Sequence, residues 1–212
     1  MGHAGFDTSG LPGTAKMAAI KTTSNFEGCG FYLGPTPSHP GSDWMPHRAA
    51  LAAQGWGLAP LFVGQQIIGP GSHNVTKAQG TTDGNNAIQL LHSAAFAPGT
   101  FVYLDLENGL PFPDKQKEYV GAWVQAIMTE GTFKPGVYCS HTLANQVHAL
   151  SPAARLWVFK VPTTATHSIP GPPFPNPAPS GSGFAGAHIW QLDQNGKATL
   201  AGGPMVIDLD SA

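Results

Sequence analysis

Short apolar runs recur along the chain, and between several of them the apolar positions change to a helical spacing. The runs are AGFD (4–7), CGFYLG (29–34), LAPLFVG (58–64), FVYLDLE (101–107), GVYCS (136–140), ARLWVFKV (154–161), AHIWQLD (187–193) and MVIDLD (205–210). Their length and their bounding turn formers predict a strand for each. Helices are predicted at PHRAALAAQ (46–54), at DGNNAIQLLHSAA (83–95) with Asp83 as N-cap, at DKQKEYVGAWVQAIMTEG (114–131) and at SHTLANQVHAL (140–150). The third is the clearest. Tyr119, Trp123 and Ile127 recur every four residues, and Gly131 supplies the stop.

Strands alternating with helices argue for parallel βα units, and eight of them in one chain suggest a closed barrel. At 212 residues this is an economical (β/α)8 TIM-like barrel, a single domain with some helices short or missing. A doubly wound open sheet is the alternative, but no GxGxxG opens a helix after the first strand. The segment 162–186, PTTATHSIPGPPFPNPAPSGSGFAG, is dense in Pro, Gly and Ser. Two strands follow it that could not fold alone, so it reads as a long loop at one end of the barrel. It is expected either to wall the cleft or to be disordered.

Polar residues fall where such a barrel carries its chemistry, at the C-terminal ends of strands. Asp7 ends the first strand, Asp105 and Glu107 the fourth, Gln191 and Asp193 the seventh, and Asp208 and Asp210 the eighth; Tyr138 lies near the end of the fifth. In YLDLEN, alternation places Tyr103, Asp105 and Glu107 on one face. Two like charges beside an apolar run are costly unless compensated, and no Lys or Arg is near them in sequence. Paired carboxyls with aromatic company suit glycoside chemistry: one, its pKa raised by burial and a neighbouring charge, protonates the leaving oxygen. Trp190, Trp157, Trp44 and Tyr32 are candidates for stacking on sugar rings.

Composition narrows the alternatives. Net charge is -2 with 10% charged residues, so a phosphate backbone finds no basic face and nucleic acid is not an expected partner. No apolar window is long enough to insert in a membrane, and MGHAGFDTSG has neither the charged nor the apolar region of a signal peptide. Cys29 and Cys139 are expected as two buried free thiols. No HExxH or comparable cluster appears among nine histidines, although His141 and His148 could share a helix face, and no GxSxG elbow is present. Neither metal nor cofactor is expected.

GFDTSGLPG, GFYLGPTPS, LAPLFVGQQ, the DGNNA helix start and GTFVYLDLEN, in that order, resemble the glycoside-hydrolase-like family called domain of unknown function 1906. That family is similar to the family-25 glycoside hydrolases, the Chalaropsis-type lysozymes, which are short (β/α) barrels that cleave peptidoglycan. The resemblance implies that Glu107 is the general acid, and that Asp105 and Asp7 stabilise positive charge at the anomeric centre or position an N-acetyl group. It matches Tyr138 to a fifth-strand Tyr, Trp190 and Gln191 to a seventh-strand Trp-Gln, and Asp208 to a last-strand Asp. It also implies an extracellular or cell-envelope location. Gln65 and Gln66 depart from the pattern, standing where the lysozymes commonly have a Tyr-His-Phe type of sequence.

The expected function is hydrolysis of a cell-wall or extracellular polysaccharide, either peptidoglycan-like or an amino-sugar polymer. A catalytically silent glycan-binding barrel is the alternative, and cleavage of a peptide or amide bond of the wall is a third reading.

Overall fold

The computed structural model describes residues 2–212. Its strands are β1 (Ala4–Asp7), β2 (Gly28–Tyr32), β3 (Gly57–Val63), β4 (Phe101–Asp105), β5 (Lys134–Ser140), β6 (Arg155–Phe159), β7 (His167–Ser168), β8 (Ala187–Leu200) and β9 (Gly203–Ser211). Between them lie helices α1 (Thr14–Thr23), α2 (Arg48–Ala53), α3 (Lys77–Ser93), α4 (Asp114–Glu130) and α5 (Ala144–Leu150). The sheet closes in the order β1 to β6, then β8, β9 and back to β1, forming an eight-stranded barrel. The two-residue β7 adds to the outer edge of β8.

Two cores follow from the alternation of side chains along the strands. One lies between the barrel and its helices and includes Phe6, Phe31, Phe62, Leu104, Trp123 and Val137. The other fills the barrel and is much smaller: Leu61, Tyr103, Tyr138 and Trp157. Both cysteines are buried and free.

Several expectations change. The last strand is antiparallel to both of its neighbours, because a tight turn at Ala201 and Gly202 joins β8 directly to β9 and leaves no room for a crossover. Helix α3 starts at Lys77, six residues before Asp83, and its cap is Thr76, whose hydroxyl accepts from the Gln79 amide at 3.2 Å. Asp83 lies inside that helix, 2% exposed. Helix α1 is additional to the expected set; it buries only Met17 and Ile20, so its sequence carries little periodicity. Regular strand structure in β4 stops at Asp105, two residues before Glu107.

The 162–186 segment is neither disordered nor confined to one end of the barrel. It is the β6-to-β8 crossover, running down the outside without a helix. His167 and Ser168 pair with β8 beyond the end of β6. Phe174 then stacks on Phe26 with centroids 4.4 Å apart, and its backbone exchanges hydrogen bonds with the Asn25 side chain at 2.7 and 2.9 Å. Asn176 is tied to Gly2, and the Pro177 carbonyl accepts from the Ser211 hydroxyl at 2.6 Å. A 3-10 turn at Pro179–Ser182 completes the descent.

Candidate active site

The parallel strands release their chains at one rim, and polar side chains converge inside it. The Tyr32 hydroxyl from β2 donates to Asp7 Oδ1 at 2.7 Å. From β5, the Tyr138 hydroxyl donates to Gln191 Oε1 on β8, and Gln191 Nε2 passes the chain on to Asp208 Oδ2 at 2.6 Å. The second Asp208 oxygen accepts from the Asn195 amide at 2.7 Å. Because β9 runs against β1, Asp208 lies opposite Asp7 and Asp210 opposite Gly5, both pointing to the same face. Below them, Trp157 Nε1 donates to Asp210 Oδ1 at 3.0 Å. The bare Cα of Gly30 makes room for Asp7, since a Cβ there would stand 2.6 Å from the Asp7 Cβ.

The carboxyls meet in two pairs, Asp105 with Glu107 and Asp7 with Asp210. Asp105 Oδ1 and Asp210 Oδ2 are buried and meet no donor group. A proton on one member of each pair can bridge to the other. Burial is the leading cause that raises all five carboxyls above their ordinary range. For Asp7 the charge of Asp208 adds to it and the Tyr32 hydrogen bond opposes it. Asp105 is raised further by Glu107. Asp208 reaches about 6, burial and the charges of Glu107 and Asp193 outweighing the Asn195 amide and Gln191. Glu107 is the exposed member of the five, yet the protein around its carboxyl still pushes it upward, against the Asp105 hydrogen bond.

Among the described residues, the ion pairs are His3–Glu27, His92–Glu130, Lys117–Asp114 and His167–Asp193. None engages the five site carboxyls. No group of three His, Cys, Asp or Glu side chains among the described residues is disposed to hold a metal ion.

Asp7, Tyr32, Asp105, Glu107, Tyr138, Gln191 and Asp208 thus gather at one end of the barrel. Trp190 does not. Alternation turns it to the outer face of β8, where its ring packs over Gly181 and Nε1 donates to the Lys160 carbonyl at 3.2 Å. Trp44 and Trp157 are 0% and 1% exposed, one in the outer core and one beneath the carboxyls, so neither offers a face to a sugar. Asp210, which the strand-end pattern included but the resemblance did not match, and Gln66, which neither assigned, are further site components. Asp210 was visible as the i+2 partner of Asp208; nothing local marked Gln66 except its departure from the lysozyme pattern.

The family model described as Rv2525c-like, glycoside hydrolase-like domain matches residues 18–210. No curated protein sequence matches the chain. Several solved structures share the fold, three of them as follows. The Tat-secreted protein Rv2525c of Mycobacterium tuberculosis is 14% identical with a TM-score of 0.63, covering 99% of this chain and 95% of that one. The bacterial lysozyme of Streptomyces coelicolor is 13% identical with a TM-score of 0.63, covering 99% and 91%. A family 25 glycosyl hydrolase from Bacillus anthracis is 11% identical with a TM-score of 0.58, covering 98% and 87%.

Proposed function

The chain belongs to the Rv2525c-like family of glycoside hydrolase-like domains, and from that premise we propose that it hydrolyses glycosidic bonds in a peptidoglycan-like or amino-sugar polymer of the cell wall or extracellular space. The observation that carries this reading is the gathering of five carboxyls at one end of the barrel, all raised by burial and none in an ion pair among the described residues. Glu107, outermost of the five and open to the cleft, donates the proton to the leaving oxygen. Asp105, held protonated by burial and by its neighbour's charge, donates a hydrogen bond that stabilises the Glu107 carboxylate once Glu107 has given up its proton. Asp7, oriented by Tyr32, stabilises the positive anomeric centre or holds an N-acetyl group. Tyr138, Gln191 and Asp208 form a fixed hydrogen-bonded wall for the sugar.

The test is release of reducing ends from purified peptidoglycan and from chitin- and galactosamine-type polymers, alongside polymer binding, for the parent protein and Glu107→Gln. Turnover by the parent alone, with binding retained by both, is the expected result. Binding without turnover in either would assign the cleft to glycan recognition instead.

A further inference from the structure

The Gln65–Gln66 pair, where the chain departs from the lysozyme pattern, sits where β3 leaves the sheet. Its last pairing with β4 is Val63 to Asp105, so the backbone of residues 106 and 107 has no β3 neighbour. Gln66 takes that place with its side chain. Its Nε2 donates to the Asp105 carbonyl at 2.9 Å, and its Oε1 accepts the Glu107 N–H at 3.2 Å. On the other side, the Leu106 N–H donates to the Tyr138 carbonyl at 3.0 Å. The segment carrying both carboxyls is therefore held from two sides, by β5 and by one amide side chain that is 2% exposed.

That amide is itself anchored. The Gln66 N–H donates to the Ser72 carbonyl at 2.8 Å, and the His73 ring meets the Gln66 carbonyl at 2.8 Å. One residue earlier, the Gln65 N–H donates to the Tyr119 hydroxyl at 3.0 Å, which donates in turn to Asp83 Oδ2 at 2.7 Å. Gln65 Nε2 reaches the same oxygen at 3.2 Å, and Gln79 Nε2 donates to Asp83 Oδ1 at 2.7 Å. Gly64 is needed for this, because a Cβ there would come within 2.4 Å of the Tyr119 hydroxyl. Asp83 is buried, takes three donors and faces no cation among the described residues.

We infer that Gln66 is the positioning residue for the proton donor, and that Asp83, Tyr119 and Gln65 form the buried relay that fixes it to helices α3 and α4. The role rests on the reading of Glu107 as general acid, but its geometry does not depend on turnover. Gln66→Met keeps length and volume and leaves the Asp105 carbonyl and the Glu107 N–H without their partner. Glu107 then moves away from Asp105 into the open cleft.

The deciding experiment is a carbon-13 titration of the Glu107 carboxyl in the free protein, assigned with Glu107→Gln, for the parent and Gln66→Met. A denaturant melt of each accompanies it. The expected result is a cooperatively folded variant whose Glu107 midpoint falls toward the ordinary carboxylate range. On a hydrolysed polymer, kcat should drop on the order of 100-fold with KM little changed, as for a misplaced catalytic group. If Gln66→Met does not fold, Gln66→Asn serves: it keeps an uncharged amide but falls one methylene short of the Asp105 carbonyl and the Glu107 N–H, so the midpoint should again fall. An unchanged midpoint in a folded variant, with only the melt weakened, overturns the positioning role. A shifted midpoint in a parent that hydrolyses nothing overturns the proposed activity and leaves the clamp standing.

Discussion

A carboxyl is a useful acid only while it still holds its proton at the working pH, and the surroundings of Glu107 arrange this. Burial raises its pKa, and the hydrogen bond from Asp105 opposes that rise without cancelling it. Replacing Glu107 by Gln should cost at least about 100-fold in turnover, the usual scale for a general acid, while leaving polymer affinity within a few-fold. In the parent, turnover should fall as pH rises through the raised Glu107 value, and a profile flat from about pH 4 to 8 would count against the acid role. At this scale much of the site was legible, because strand alternation alone puts Asp105 with Glu107 and Asp208 with Asp210. Trp190 shows the limit of the same rule. Its neighbour Gln191 faces inward, so alternation excludes it from the cleft.

Helices α3 and α4 pack with unusually close backbones, and the reason is in their small residues. A Cβ on Gly80 would stand 2.3 Å from the Tyr119 carbonyl oxygen, and one on Gly84 2.7 Å from the Ala126 Cβ. Gly80→Ala should therefore destabilise the protein by about 1–3 kcal/mol, in spite of the better helix propensity of Ala. Gly121, in α4, has nothing within 4 Å of its would-be Cβ. Gly121→Ala should stabilise by up to about 1 kcal/mol, so denaturant melts of the two variants should move in opposite directions. The sequence places a helix here but not its start. Asp83 looks like a cap, yet Lys77 to Thr82 form a full preceding turn and a half, and Asp83 is instead the acceptor for Tyr119, Gln65 and Gln79. Only tertiary partners distinguish these two uses of an Asp.

Across the whole molecule, the barrel was legible from eight apolar runs separated by helical signals. The direction of its last strand and the form of one crossover were not: β9 runs antiparallel, and a Pro-rich strap replaces a helix. The strap is held by chemistry that composition conceals, notably the Phe174–Phe26 stack and the Asn25 hydrogen bonds. Phe174→Ala should cost about 3 kcal/mol, read as a lowered denaturation midpoint, if the strap is part of the cooperative unit. The carboxyl cluster also sets how stability varies with pH. Asp208 rises from an ordinary 3.8 to about 6 in the fold, so the folded state holds a proton that the unfolded chain has released. Its contribution is fully present below about pH 4 and is lost as pH rises through about 6. Asp7, Asp105, Glu107 and Asp210 are shifted in the same direction. Melting temperature should therefore decline from mildly acid toward neutral pH, and Asp208→Asn should make that decline shallower.

The central claim, that Glu107 protonates a glycosidic oxygen, is tested most directly by mass spectrometry of the soluble products formed from purified peptidoglycan by the parent and by Glu107→Gln. The account predicts sugar-containing fragments with new reducing ends, each gaining two mass units on borohydride reduction, from the parent alone. Fragments that are free peptides, or the same sugar products from both proteins, would contradict it.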